Sequence, residues 1–130
     1  MKYLSALLLV FFIAACSTKL SEEEYYSKAQ EMYAGQKFDL AIENFKGIAE
    51  NYPQGKHHAE ALFMLGFINA NDIKNLAEAK KYYTAFVQKY PNHHLADDAQ
   101  YELDNLGKDI NDLPIFKDAA VDSSKDSPSI

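Results

Sequence analysis

Ala41-Ile42-Glu43-Asn44-Phe45-Lys46-Gly47-Ile48-Ala49-Glu50-Asn51-Tyr52-Pro53 returns in altered form as Ala79-Lys80-Lys81-Tyr82-Tyr83-Thr84-Ala85-Phe86-Val87-Gln88-Lys89-Tyr90-Pro91. Ala41/Ala79, Phe45/Tyr83, Ile48/Phe86, Tyr52/Tyr90 and Pro53/Pro91 are each 38 residues apart. A fixed offset of that size marks a repeat architecture. The alanine lets two helices approach closely, and the aromatic one turn later fills the space between them. The proline, which lacks a backbone donor, ends the helix. The stretch reads as the second helix of a helix–turn–helix repeat, and so as part of a binding scaffold.

Working outward, the flanking segments supply the partner helices. Ser21 with Glu24 three residues on forms a capping box, and the acidic first turn suits the helix dipole. Tyr25, Ala29, Met32 and Tyr33 then recur at helical spacing, and Gly35 can close the helix before the turn Gln36-Lys37. Between Pro53 and the second copy, the run from 59 to 70 is apolar almost all the way round, which makes it the element that must be covered on most sides. Gly66 inside that run costs about 1 kcal/mol relative to Ala, a cost accepted where another helix comes close. Asn75, with Glu78 three residues later, is a good N-cap for the second copy. A fifth helix over about 95–106 stops at Gly107 and repeats the third: Glu60/Asp98, Ala61/Ala99 and Phe63/Tyr101 again differ by 38. Its outer face (Asp97, Asp98, Glu102, Asp104, Asn105) is polar, as the end of a solenoid has to be.

Upstream of these helices the chain has a different character. Met1-Lys2 is a short basic start, 4–13 is apolar except for Ser5, and Ala14-Ala15-Cys16 follows. This is the layout of a secretory leader, too short to span a bilayer. Cys16 is the one cysteine of the chain, so no intramolecular disulfide can form. Its place directly after two alanines resembles a bacterial lipobox, which implies acylation of Cys16 and a lipid-anchored mature protein. Ser17, where an aspartate would signal inner-membrane retention in many such lipoproteins, implies the outer membrane, with the domain expected to face the periplasm. The expected division is 1–15 signal peptide, 16–20 lipidated tether, 21–107 helical domain, and 108–130 a polar, disordered tail. Its small apolar cluster Asp112-Leu113-Pro114-Ile115-Phe116 is expected to pack back onto the last helix, with a docking peptide for a partner as the alternative.

Charge narrows the possible partners. The formal net charge is −6 over 130 residues, and every basic residue is lysine. Arginine supplies the bidentate contacts of most nucleic-acid readers, so no nucleic-acid partner is expected. No phosphate loop, Ser/His/Asp order or metalloprotease helix occurs, so neither an enzyme nor a cofactor is expected. His57-His58 and His93-His94 each follow a repeat proline and raise the possibility of a transition-metal site. Neighbouring helix residues point about 100° apart and no further ligand has suitable spacing, so surface or capping histidines are the favoured reading and no metal is assigned.

Ala29…Phe38-x-x-Ala41-x₃-Phe45…Pro53 and Leu62-x-x-Leu65-Gly66…Ala79-x₃-Tyr83…Pro91 resemble the tetratricopeptide repeat. The 38-residue period and the Asn-Tyr-Pro and Lys-Tyr-Pro endings look most like the envelope lipoproteins of the BamD assembly type and the Tol–Pal-associated coordinator proteins. This chain departs from the repeat consensus in three places. Gln36 stands for the usual turn glycine, Tyr25 and Leu62 stand for tryptophan, and the turn after Ala70 is one residue longer. The resemblance implies an all-α, TPR-like α-solenoid of about five helices, two and a half repeats, following the leader. It also implies that the first helix of each pair lines a concave face. On this sequence that face holds Tyr26, Gln30, Tyr33, Phe63, Phe67, Asn71 and Tyr101, with Glu23, Glu60 and Asp98 nearby, and Phe63 and Phe67 lead it. An aromatic groove edged by carboxylates suits a protein or peptide partner with apolar residues and some lysine or arginine. The expected function is a lipid-anchored envelope adaptor in outer-membrane protein assembly or envelope integrity. Open helix faces leave self-association, and hence a homo-oligomer, as the alternative, with a histidine-mediated metal-binding protein behind it.

Overall fold

The computed structural model describes residues 19–108; the leader, Cys16 and the tail from 109 lie outside the described residues. The described residues form five helices and no strand: α1 (Glu22–Ala34), α2 (Phe38–Asn51), α3 (His58–Asn71), α4 (Leu76–Lys89) and α5 (Ala96–Asn105). Each helix packs on the next in the chain, α1 on α2, α2 on α3, α3 on α4 and α4 on α5. This nearest-neighbour stacking is the signature of a solenoid.

The repeat sets the lengths. α2 and α4 each have 14 residues and begin 38 residues apart, and both end on a tyrosine before the proline, Tyr52 and Tyr90, with nearly the same backbone angles. α1 and α3 end 37 residues apart, one short of that offset, because 35–37 joins the first pair and the longer 72–75 joins the second. Both turns need a left-handed residue, and non-glycine side chains supply it: Gln36 at φ 56° and Lys74 at φ 61°. The caps form as the sequence predicts. Ser21 and Glu24 make a reciprocal capping box, and the Asn75 side chain accepts from the Glu78 N–H.

The second helices put one stripe into the core, Ala41, Phe45 and Ile48 from α2 and Ala79, Tyr83 and Phe86 from α4, while α3 buries nine of its residues between them. Each fully buried Phe, Leu or Ile contributes about 1.5–3 kcal/mol of hydrophobic stabilisation. Glycine permits the closest approach: a Cβ on Gly66 would stand 2.7 Å from the Tyr83 ring. α5 closes the stack with Ala99 as its one buried residue.

The start of the described chain is tied down. The Tyr52 hydroxyl donates to the Leu20 carbonyl at 2.7 Å, and Lys19 lies over the Tyr52 ring, 4.8 Å from its centroid.

Candidate functional site

Tyr26, Gln30 and Tyr33 recur on one face of α1, one and two turns apart. Opposite them α3 presents Met64, and Phe45 of α2 forms the floor. These five residues enclose a concavity of about 270 Å³. Phe45 is 1 % exposed, whereas Tyr26, Tyr33 and Met64 are half-buried and Gln30 is exposed at the rim. Tyr26 meets Phe45 edge-on, with centroids 6.4 Å apart, and Tyr33 lies tilted against Phe38 at 5.8 Å. Aromatic contacts of this kind hold the walls rigid, which lowers the entropic cost of receiving a partner.

Beside the concavity, His57 stacks its ring on Tyr26 at 3.7 Å and 11°. Its backbone N–H donates to Glu22 at 2.7 Å, and its ring nitrogens lie 3.3 Å from Glu23 and Glu60. Lys56 pairs with Glu23 on the outside. Burial pushes the Tyr26 phenol up to about 12, with the Glu60 carboxylate beside it adding to the effect. Burial acts to raise the Glu60 carboxyl too, but the Tyr26 hydroxyl and the His57 ring outweigh it and hold Glu60 below the usual carboxylate range. The carboxylates near the groove are therefore engaged from within, which leaves the groove itself apolar. Burial also raises Tyr33, assisted by the charge of Asp72.

The remaining expected groove residues are placed elsewhere. Phe63 is directed into the α3–α4 interface, edge-on to Tyr83 at 5.7 Å and to Phe86 at 5.8 Å, and Phe67 stacks on it at 6.5 Å. Asn71 is exposed, donates its amide to the Phe67 carbonyl, and borders a separate concavity of about 480 Å³ with Leu76 and Glu102. Tyr101 stands 57 % exposed on α5, away from both. Asp98 is exposed at the start of α5. Phe63 and Phe67 thus do not line this concavity, whereas Tyr26, Gln30 and Tyr33 do. The contributions of Phe45 and Met64 escaped the sequence reading because each also fits a plain core stripe.

Among the four histidines, His58 departs from the surface-or-capping reading. His58 is a core residue, 5 % exposed. Its Nδ1 and the Tyr90 hydroxyl share a hydrogen bond of 2.6 Å. Burial, with the charge of Lys89, pushes its pKa down. His57 holds the cap position of α3 without a side-chain capping bond and spends its ring on Tyr26 instead. His93 accepts from the Leu95 N–H at 3.2 Å. Among the described residues no group of three or more His, Cys, Asp or Glu side chains is disposed to hold a metal ion, and no helix is long and apolar enough to cross a membrane.

A family model described as YfiO, outer membrane lipoprotein, matches residues 18–106. The chain matches no curated protein and no solved structure.

Proposed function

The chain belongs to the YfiO family of outer membrane lipoproteins, and on that footing we propose that it is a non-enzymatic adaptor, anchored through acylated Cys16, that receives a protein segment in the groove between α1 and α3. The family match agrees with the resemblance to the BamD-type lipoproteins and with the helical repeat fold. The observation that carries the groove reading is the joining of Tyr26, Gln30 and Tyr33 with Phe45 and Met64 around one apolar concavity. Its aromatic walls and apolar floor suit one or two apolar side chains of a helix or extended peptide, the occupants such pockets hold best. The domain is taken to face the periplasm.

A photoreactive amino acid at Gln30, on the rim, tests this in cells. It is expected to give one adduct to an envelope protein, and Tyr33→Asp is expected to remove that adduct while the helical circular dichroism is retained. A rim that yields no adduct overturns the groove reading.

Self-association is supported by a different surface. Leu40, Ile73 and Leu76 are 45 %, 39 % and 43 % exposed, and Leu40 and Ile73 border a shallow concavity at the turn edge of the array. On that reading a photoreactive group at Leu40 gives an adduct of twice the chain mass, and light scattering of the acyl-free domain shows a dimer. A strict monomer at high concentration eliminates it.

A further inference from the structure

Two loops follow the repeat prolines, 53–57 and 91–95, and both lie at the edge where α1 begins. Cross-links join that edge into one piece. Lys19 donates to the Asn51 carbonyl at 3.4 Å, and Tyr52 donates to the Leu20 carbonyl at 2.7 Å. Glu22 accepts from the His57 N–H, and Lys89 donates to the Pro53 carbonyl. His58 bonds to Tyr90, over whose ring Lys89 lies at 5.6 Å. The point where the tether enters is therefore fixed to the first proline loop, which is tied in turn to Lys89 and Tyr90 at the entry to the second.

We propose that this proline-loop edge rests against the lipid headgroup layer, so that the array stands upright and the opposite, turn edge points away from the membrane. The inference rests on acylation at Cys16. Lys19 lies three residue steps after Cys16, and three steps reach at most about 10 Å when fully extended. A lipid on Cys16 thus holds Lys19, where the edge begins, within about 10 Å of the headgroups.

The chemistry of the edge fits that neighbour. Its crests are Pro53, Gln54, Pro91 and Asn92, all exposed and uncharged. Behind them Tyr52 and Tyr90 each carry a lysine on the ring, Lys19 and Lys89. An aromatic body with a polar tip, beside a lysine whose stem can snorkel, is the combination that the membrane interface accommodates. Most acids of this edge are turned to internal partners: Glu22 to His57, Glu23 to Lys56 and His57, Glu24 to Ser21, and Glu60 to His57. Glu50, Asp97 and Asp98 remain exposed at its flanks. The 13 residues of α1 rise about 20 Å. Lys74 and Ile73, at the turn edge, would then stand about that much farther from the lipid.

Two features of composition make the test direct, since the chain has one cysteine and no tryptophan. The chain beginning at Cys16 is coupled to a maleimide-bearing phosphatidylethanolamine in vesicles of phosphatidylethanolamine and phosphatidylglycerol that carry a dansyl headgroup. Energy transfer from single tryptophans at Gln54, Asn92 and Lys74 is then compared. Gln54→Trp and Asn92→Trp are expected to transfer several-fold more efficiently than Lys74→Trp. Equal transfer from all three sites overturns the upright edge-on placement, and strong transfer from Gln54 with weak transfer from Asn92 overturns it by showing the array lying tilted. Chemical coupling keeps this result separate from the anchor itself. If the Cys16 peptide of protein extracted from cells has an unmodified mass, the lipoprotein reading fails on its own.

Discussion

Phe45 and Tyr83 hold the same place in successive repeats, 38 residues apart and each at most 1 % exposed, yet Tyr83 brings into the core a hydroxyl with no hydrogen-bond partner among the described residues. Each ring receives an aromatic edge from the preceding helix, Phe45 from Tyr26 and Tyr83 from Phe63. The first repeat therefore shows that the site works with phenylalanine. A buried, unpaired hydroxyl costs about 1–3 kcal/mol in desolvation. Tyr83→Phe is expected to raise stability by about 1 kcal/mol, read as a thermal midpoint some 4–8 °C higher. A lower midpoint would show that the hydroxyl has a partner.

The same ring explains Gly66. A methyl group there would meet Tyr83 at 2.7 Å, and the ring is hemmed in by Phe63 and cannot yield freely. Alanine improves helix propensity by about 1 kcal/mol, but overpacking a tight core costs typically about 1–3 kcal/mol. Gly66→Ala is therefore expected to lower the denaturant midpoint in spite of the better propensity. The double variant Gly66→Ala/Tyr83→Leu should lose less than the sum of the two single losses, because the clash is removed with the ring. Strict additivity would place the defect elsewhere.

How far the sequence could be read divides along local and non-local lines. The helices, their caps at Ser21 and Asn75, the stop near Gly107 and the polar face of α5 depend on neighbours a few residues away, and the 38-residue offset multiplied each clue. The groove does not. Tyr26 and Phe63 both sit on first helices and both present a half-buried ring, but only Tyr26 faces the concavity. Which ring turns inward depends on how α3 is gripped by α4, and no periodicity records that. His58 shows the same limit. The pair His57-His58 reads as polar, while the packing of α3 between α2 and α4 buries the second member against Tyr90. The leader and Cys16 lie outside the described residues.

His58 predicts a pH dependence with a definite sign. Burial and the Lys89 charge depress its folded pKa below the ordinary 6.5, so over that interval the unfolded chain binds a proton that the folded chain does not. Stability therefore rises with pH through the interval and falls as pH drops below about 6.5. Glu23, Glu24 and Glu60, whose folded values are also depressed, weaken the fold only in the acid range, below the ordinary 4.5 and through their folded values. Thermal midpoints of the parent chain should decline on mild acidification from neutrality, and His58→Gln should flatten that decline. An unchanged slope in the variant would remove His58 as its source.

Tyr26 and Glu60 connect the groove wall to its electrostatics. Three groups lower the Glu60 carboxyl against the opposing effect of burial: the Tyr26 hydroxyl, the His57 ring and, more weakly, the charge of His93. Tyr26→Phe keeps a ring to stack on His57 and to meet Phe45 edge-on, but it removes the hydroxyl. Burial is then opposed only by the two histidines, His57 and His93, so the folded pKa of Glu60 should move upward. The stability contributed by its ionisation, which is present above the ordinary 4.5 and lost as pH falls through the folded value, should shrink accordingly. Carbon-detected NMR of the Glu60 carboxyl across an acid titration measures the shift, and the acid midpoint of unfolding should move to higher pH with it. If the Glu60 titration is the same in both chains, the phenol does not reach the carboxylate, and the tyrosine serves the groove only as an apolar wall.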